Sequence, residues 1–252
     1  MTETGRYLFA VTRGLVDGEL ADVPGLRGAP LEVVERDGLQ GVVCEVSLDE
    51  FGEEALVRNL EDLAWVEEVA RRHDDVVRAV SARGTVAPMR LVTIYASDTS
   101  VEGQLDDLRG KLLAALDRVE DCGEWAVKVY SASAVTGSPD PIGEKPASGV
   151  AYLQRKRDQA EARRAVDDHV TLVAEHVYAG LSEYVTAGRR LAVQDPRLSG
   201  RSEAMILNAA YLVPHISSEA FQAAADTLSE RYPDVAIEVQ GPWPPYSFAM
   251  LE

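Results

Sequence analysis

Apolar and polar positions follow two different periods in the first third of the chain. The runs at 6–13, 31–37 and 40–47 are rich in aromatic and β-branched residues, which indicates strands. Asp37 and Gly38, between the second and third runs, predict a tight hairpin turn. From 60 to 80 the apolar residues instead recur every three or four positions, which predicts an amphipathic helix. The members of that stripe are Leu63, Val66, Val69, Ala70, His73, Val76, Val77 and Val80.

The next stretch continues the mixture of strands and helices. Residues 85–95 have the composition of a strand, although Pro88 favours an edge position or an interruption. A leucine stripe predicts a second helix at 101–119, and residues 125–130 predict a closing strand. Because these elements mix without strict alternation, we expect an α+β domain of the ferredoxin-like kind at 1–135 rather than a doubly wound sheet.

A stretch rich in proline and glycine at 136–149 predicts a linker between two domains. Residues 150–186 contain no proline and predict an unusually long helix, whose part at 154–164 is nearly all polar. The remaining pattern predicts strands at 189–194 and 204–213, a helix at 217–231 and a strand at 235–240. We therefore expect 150–252 to form a smaller α+β domain, a ferredoxin-like variant preceded by the long helix.

Charge and composition narrow the classes of partner. In 252 residues, 25 Lys and Arg stand against 42 Asp and Glu, which gives a net charge of −17 at pH 7. Such a charge opposes binding to nucleic acid and to anionic membranes, so we expect neither as a partner. Cys44 and Cys122 lie far apart and predict reduced thiols. No apolar run is long enough to cross a bilayer, and we expect a cytoplasmic protein.

The sequence contains no recognisable constellation for catalysis. It has no glycine-rich phosphate loop, nucleophile elbow, paired-histidine zinc helix or EF-hand loop. His169 and His176 lie about 10 Å apart along the long helix, too far to share a metal ion without another ligand. His73, on the apolar stripe, predicts a hydrogen-bonded core histidine. We therefore predict no catalytic residue, no metal and no cofactor.

Two groups of residues are candidates for binding a partner. A basic group in the polar half of the long helix either docks an acidic partner or is simply solvated. It consists of Arg155, Lys156, Arg157, Arg163 and Arg164. A second group follows the last strand, where Pro242 is expected to end the sheet ladder. This stiff aromatic segment, which either closes over its own core or offers its aromatic rings to a partner, contains Trp243, Pro244, Pro245, Tyr246 and Phe248.

Arg90 is unusual because it lies between Met89 and Leu91 in a strand-like run. An arginine among apolar neighbours needs a carboxylate or several carbonyl groups when it is buried. We therefore predict a structural pairing for Arg90.

Five blocks of the sequence, in one order, resemble the gas vesicle accessory protein family F/L. Residues 241–248 (GPWPPYSF) are similar to the closing signature of the family, and residues 7–11 (YLFAV) are similar to its opening strand. The three internal blocks are residues 63–74, 87–95 and 124–130. Trp65 and Trp125 lie in the first and third internal blocks, and we assign both a structural role.

The chain departs from the family pattern at two places. Leu91 and Val92 stand where the family usually has Phe-Gly after the arginine of the second internal block. Ala126 stands where the family usually has glycine after the tryptophan of the third. Both departures concern local geometry and leave the order of the five blocks intact.

The resemblance implies a non-enzymatic accessory or assembly protein, associated with gas vesicles, with a chaperone-like or minor structural role. Its implied partners are the small hydrophobic shell subunit and other gas vesicle accessory proteins. An acidic protein with a stiff aromatic edge is suited to covering an apolar or strand-edged client. Two alternatives remain: an enzyme with an inter-domain active site, and a ligand-sensing or oligomerising ferredoxin-like module. Neither alternative explains the five ordered blocks.

Overall fold

The computed structural model describes residues 3–16, 18–131, 149–194, 201 and 203–249. The chain forms two compact units, the first made of 1–124 with 242–252 and the second of 125–241. The strands form two separate sheets, and helices accompany both. The α+β fold class predicted from the sequence is therefore confirmed.

The first unit places its strands in the order of a ferredoxin-like sheet. Its strands and helices are, along the chain, β1 (Thr4–Thr12), β2 (Glu32–Arg36), β3 (Leu39–Ser47), α1 (Leu48–Phe51), α2 (Glu53–Asn59), α3 (Leu63–Ser81), β4 (Val86–Pro88), β5 (Ile94–Tyr95), α4 (Asp98–Asp107) and α5 (Arg109–Val119). The sheet order is β2-β3-β1-β4, with β5 also paired to β1, and neighbouring strands are antiparallel. The outer strand β2 pairs with β3, and the outer strand β4 pairs with β1, as the ferredoxin-like topology requires.

The hairpin between β2 and β3 forms where the sequence predicts it. Arg36 pairs with Leu39, so that the loop contains only Asp37 and Gly38. Both loop residues have positive φ, 47° and 80°, as a type I′ turn requires. The turn chemistry of two residues therefore fixes the register of the strand pair.

Helix α3 covers the first sheet with the apolar stripe predicted from the sequence, but it starts later than predicted. The Asp62 carboxylate accepts the backbone N–H groups of Ala64 and Trp65, and this cap begins the helix at Leu63. Leu63 itself is 81% exposed, so its place on the predicted core stripe is wrong. Leu63 is exposed although Trp65, in the same first turn, packs against the core. The buried members of the stripe are Val69, His73, Val76, Val77 and Val80.

Two further predicted elements are divided in the structure. The single helix predicted at 101–119 is two helices, because Leu108 leaves the helical conformation at φ −101° and ψ 6°. The first of them begins earlier than predicted, at Asp98, where the Ser97 side chain caps it. The strand predicted at 85–95 consists of β4 and β5, interrupted just after Pro88.

The second unit is a complete βαββαβ arrangement. Its elements are β6 (Cys122–Ser131), α6 (Gly149–Ser182), β7 (Ala187–Arg190), β8 (Ala204–Pro214), α7 (Ser218–Arg231) and β9 (Val235–Trp243). The sheet order is β7-β8-β6-β9, which is again ferredoxin-like. Strand β6 therefore belongs to this unit. The sequence pattern had predicted that it closes the first unit, and that prediction is wrong. Trp125, Val127 and Val129 alternate toward the core that also contains α6 and β8.

The observed units differ from the predicted domains at 1–135 and 150–252. The long helix α6 is the first helix of the second unit, since β6 precedes it in the same sheet. Residues 136–148 of the predicted linker lie outside the described residues, and Gly149 begins α6. The segment from Pro242 onward belongs to the first unit, where it forms the short helix α8 (Tyr246–Ala249).

Candidate partner-binding surfaces

The C-terminal segment (residues 242–249) leaves an edge strand and enters the first unit. Strand β9 lies at the edge of its sheet and continues through Pro242 to Trp243. The expectation that Pro242 ends the ladder is therefore wrong, because an edge strand tolerates a residue that has no N–H to donate. Pro244, Pro245 and Phe248 are buried, whereas Trp243 and Tyr246 are partly exposed.

Helix α3 receives the two partly exposed aromatic rings. The guanidinium of Arg78 lies 4.1 Å from the centre of the Trp243 ring, a cation–π geometry, and also binds the Asp74 carboxylate. The Tyr246 hydroxyl donates to Asp74 at 3.4 Å. Burial, followed by the neighbouring Asp74 charge, raises the pKa of Tyr246. Tyr246 therefore remains a neutral phenol that contributes to the core of the first unit.

Two hydrogen-bonded groups hold the backbone of the segment. The Glu124 carboxylate accepts the Ser247 N–H at 2.7 Å and the Ser247 hydroxyl at 2.6 Å. The Arg118 guanidinium donates to the carbonyl oxygen of Phe248 at 3.1 Å. Each of these hydrogen bonds has one charged partner, Glu124 or Arg118, which makes it stronger than a hydrogen bond between two neutral groups. The segment is therefore attached to the first unit through both its side chains and its backbone.

The basic half of α6 (residues 152–165) has a different environment. Every side chain in this stretch is exposed, including all five of the predicted basic residues. Arg157 pairs with Glu161 one turn later, and Lys156 lies 5.7 Å from the centre of the Tyr152 ring. The other three basic side chains make no ion pair within the described residues. This stretch therefore keeps its positive charge available to solvent.

His73 occupies the centre of the first core. It is 3% exposed, and its Nδ1 lies 3.0 Å from the Tyr7 hydroxyl. Because that oxygen already accepts the Val92 N–H at 3.0 Å, we assign the phenolic proton to the bond with His73. Burial lowers the pKa of His73 to about 4, although the backbone of Met89 and the Asp74 charge act in the opposite direction. His73 is therefore a neutral ring at neutral pH.

The two tryptophans with an assigned structural role lie in separate cores. The Trp65 indole donates from Nε1 to Glu50 at 2.7 Å, and its ring lies 5.4 Å from that of Phe51 in the first unit. Trp125 is 3% exposed and lies 5.7 Å from the Phe221 ring in the second unit. Each ring contacts an aromatic neighbour in the core of its own unit.

Arg90 is exposed, and the burial that motivated its predicted pairing is absent. It follows β4 instead of lying inside a strand, since the ladder ends at Pro88. The side chain makes no ion pair in the part of the chain that the structure describes. Only its backbone is bound, because the Arg90 carbonyl oxygen accepts the Thr93 hydroxyl at 2.7 Å. A solvated arginine requires no carboxylate partner, which corrects the prediction.

One exposed apolar surface was missed by the sequence pattern. Val57 and Leu60, at the end of α2, are 67% and 50% exposed, and Leu63 follows at the start of α3. Val57 and Leu60 are three residues apart and share one side of α2, whereas the extended Asp62 separates this helix from Leu63, which follows Leu60 closely along the chain. Leu63 was assigned to the buried stripe, and that assignment concealed the surface. Short helices such as α2 give too few periods for a reliable pattern.

The described ranges contain neither a metal-binding cluster nor a membrane-spanning helix. They contain no group of three or more His, Cys, Asp and Glu residues that could hold a metal ion. Among these same residues, no helix is both long and apolar enough to cross a membrane.

Sequence comparison decides the family. The model of the gas vesicle synthesis protein family GvpL/GvpF matches residues 5–250. The chain belongs to this family. It is 36% identical to Gas vesicle protein L of Streptomyces sp. (strain CB03234), over 98% of the chain and 94% of that protein. It is 28% identical to Gas vesicle protein L2 of Halobacterium salinarum, over 97% of the chain and 91% of that protein.

Solved structures of the GvpL/GvpF family share the fold. The crystal structure of GvpF from Anabaena sp. PCC7120 superposes with a TM-score of 0.71 at 17% identity, covering 99% of the chain and 97% of that structure. GvpF from Microcystis aeruginosa gives a TM-score of 0.67 at 18% identity, covering 98% of the chain and 99% of that structure. The α+β architecture described above is therefore that of known GvpF proteins.

Proposed function

We propose that this protein is a non-enzymatic accessory factor that contacts the hydrophobic shell subunit while gas vesicles form. The observation that carries the proposal is the GvpL/GvpF family match over residues 5–250, which covers both units. A strongly acidic chain remains soluble at high concentration, and this suits a protein that accompanies an apolar client. A chaperone-like role and a minor structural role both use the same contact.

Within the C-terminal segment, we assign the client contact to the exposed side of Trp243. Pro244, Pro245 and Phe248 are buried in the first unit, so their role is to fix the position of the segment. Trp243 precedes this anchor and keeps part of its ring accessible, with Arg78 covering one face. A rigid aromatic ring loses little entropy on binding and is a common centre of binding energy.

The sequence identities favour an L-type member. The chain is 36% identical to the L protein and 27% identical to the F protein of the same Streptomyces strain. In Halobacterium salinarum, L2 and L1 are 28% and 27% identical, whereas F2 and F1 are 25% and 23% identical. The same order in two distant organisms supports the L-type assignment.

Co-expression with the shell subunit, followed by affinity purification of this protein, tests the proposed function. We expect the shell subunit to be recovered with the wild-type chain. Trp243→Ala is expected to weaken the contact about thirtyfold and so to reduce recovery, because one central aromatic contact is worth about 2 kcal/mol. Ile216→Ala, at a residue that is 95% exposed in the second unit, is the matched control and is expected to retain recovery.

Failure of the wild-type chain to recover the shell subunit, with and without the other accessory proteins, would contradict the proposed function. Full recovery with Trp243→Ala, while the wild-type chain binds, would instead remove only the assignment to Trp243. Thermal unfolding of each variant, followed by circular dichroism, separates lost contact from lost folding. The two results therefore test the function and the surface independently.

A further inference from the structure

One face of α6 changes its chemistry along the helix. Its C-terminal part packs in the core of the second unit through Val173, Ala174, Val177 and Leu181. Steps of three and four residues toward the N-terminus continue the same face through Val170 and Val166. Beyond them the face is formed by Tyr152, Arg155, Lys156, Gln159 and Arg163. The face that is apolar and buried near the sheet therefore becomes basic and exposed in the basic half of α6, which is about 20 Å long.

The positive charges on this face lack the partners that other arginines have. Many arginines elsewhere in the described chain bind carboxylates, as Arg13 binds Asp117 and Arg190 binds Glu175. With 42 acidic residues against 25 basic ones, carboxylates are in excess. Within the described ranges, ion pairs are nevertheless absent from Arg155, Lys156 and Arg163. Apolar surface accompanies the charge on this face, since the Tyr152 ring is 47% exposed.

A surface of the opposite charge exists on the first unit, at the α2–α3 junction. We define this junction by the exposed apolar residues Val57, Leu60 and Leu63 together with the exposed acidic residues Glu53, Glu54 and Glu61. Glu53 and Glu54 lie four and three residues before Val57, so all three share one side of α2. The three glutamates make no ion pair in the described part of the chain. The junction therefore combines exposed apolar side chains with carboxylates that have no cationic partner.

We propose that the protein self-associates head to tail, with the basic half of α6 in one copy bound to the α2–α3 junction of a second copy. The two surfaces match in both respects, because each combines apolar side chains with uncompensated charge, and the charges are opposite. Such a contact is heterologous, so a bound pair keeps one free surface of each kind, one on each copy, and the assembly can grow. The proposal is independent of the contact with the shell subunit.

The net charge of −17 on each copy does not prevent this contact. Repulsion between distant charges is screened beyond about 8 Å at physiological ionic strength, whereas the charges in direct contact are screened much less. A single helix covers a small area, which places the contact among weak, reversible interfaces. Self-association should therefore depend strongly on protein concentration.

Sedimentation velocity over a concentration series, with two charge-reversed variants of the full chain, tests the proposal. The helix variant carries Arg155→Glu, Lys156→Glu and Arg163→Glu, and the junction variant carries Glu53→Lys, Glu54→Lys and Glu61→Lys. We expect wild-type protein to associate and each variant alone to associate at least about tenfold more weakly, because like charges then face each other. An equimolar mixture of the two variants should associate again, since each reversed surface meets its opposite in the other variant.

A control variant separates the specific contact from net charge. Glu183→Lys, Asp226→Lys and Glu230→Lys change exposed residues that make no ion pair in the described structure and lie in the second unit. Three replacements that each add two positive charges change the net charge from −17 to −11, as in the junction variant. The control should associate at least as strongly as wild type. Wild-type protein that stays monomeric throughout, a junction variant that behaves like the control, or a mixture that fails to associate would each overturn the proposal.

Discussion

Val92 has a backbone conformation that β-branched residues rarely adopt. Its φ is 63°, in the left-handed region, and its N–H is held by the Tyr7 hydroxyl. The resemblance to the gas vesicle family identified this position as a usual glycine, and the structure supplies the reason. Sequence periodicity alone predicts a strand here, because valine is typical of strands and a hydropathy pattern contains no information about the sign of φ.

The strain at Val92 can be measured by comparing two substitutions at that position. Val92→Gly is expected to be more stable than Val92→Ala by about 1 kcal/mol, because alanine meets the steric cost of positive φ and glycine does not. At Val66, inside α3, the same two substitutions should show the reverse order, since glycine is disfavoured in a helix. Urea unfolding of the four variants gives both differences. Alanine more stable than glycine at both positions would contradict the assigned strain.

The buried His73 should make the first unit sensitive to mild acid. Its pKa is lowered to about 4 by burial, whereas an unfolded histidine titrates near 6.5. The unfolded chain therefore binds a proton that the folded chain excludes, and stability contributed above about pH 6.5 is lost as the pH falls toward 4. Within that window the loss reaches up to about 1.4 kcal/mol per pH unit.

His73→Gln removes this titration and provides the test. The variant is expected to be less stable at pH 7 because the aromatic packing around His73 is disturbed, but its stability should fall less steeply between pH 6.5 and 4.5. Guanidinium unfolding at several pH values measures the two slopes. Parallel slopes for wild type and variant would show that His73 is not the group responsible. The spacing of the α3 stripe places His73 on the core side, whereas nothing local in the sequence identifies Tyr7 as its partner.

At the scale of elements, α6 shows how far periodicity carries a prediction. The apolar positions after Val166 and the polar run before it predict two halves with different environments, and the structure has a packed half and an exposed half. The end of the helix was predicted too late, at Thr186, whereas the observed helix ends at Ser182. Helix ends depend on individual hydrogen bonds and on the neighbouring strand, which a hydropathy pattern does not contain.

The basic half of α6 owes its helical form to local propensity, because it has no core contacts. Arg, Lys, Gln, Glu and Ala dominate this stretch, and all are strong helix formers. Gln159→Pro should therefore unwind the exposed turns and lower the far-UV circular dichroism signal by the contribution of about ten helical residues. The temperature of the main unfolding transition should stay unchanged. The control Ala174→Pro, in the buried half, should abolish folding of the second unit. A large loss of thermal stability in Gln159→Pro would show that the exposed half is needed for folding.

The division of the whole molecule was the part that sequence patterns predicted least well. Strand β6 follows the first unit along the chain and was predicted to close it, yet its partners are β8, at 204–214, and β9, at 235–243. Pairing between strands so distant in sequence is set by complementary packing of Trp125, Val127 and Val129, which no local window contains. The ferredoxin-like class was nevertheless predictable, because the order and type of elements suffice for it.

Because the first unit includes the C-terminal segment (residues 242–249), it is complete only when that segment is present. A chain truncated after Gly241 lacks the buried Pro244, Pro245 and Phe248, and it leaves Glu124 and Arg118 without the bonds that they make to the segment. Loss of a buried phenylalanine alone costs about 3 to 5 kcal/mol, a large part of the stability of an ordinary domain.

Hydrogen exchange should therefore accelerate in α3 and α5 of the truncated chain, and β8 in the second unit should keep its protection. Phe248→Ala, as a milder change in the full-length chain, should accelerate exchange in the same two helices to a smaller extent. Equal protection of α3 in full-length and truncated chains would show that the C-terminal segment adds nothing to the first unit.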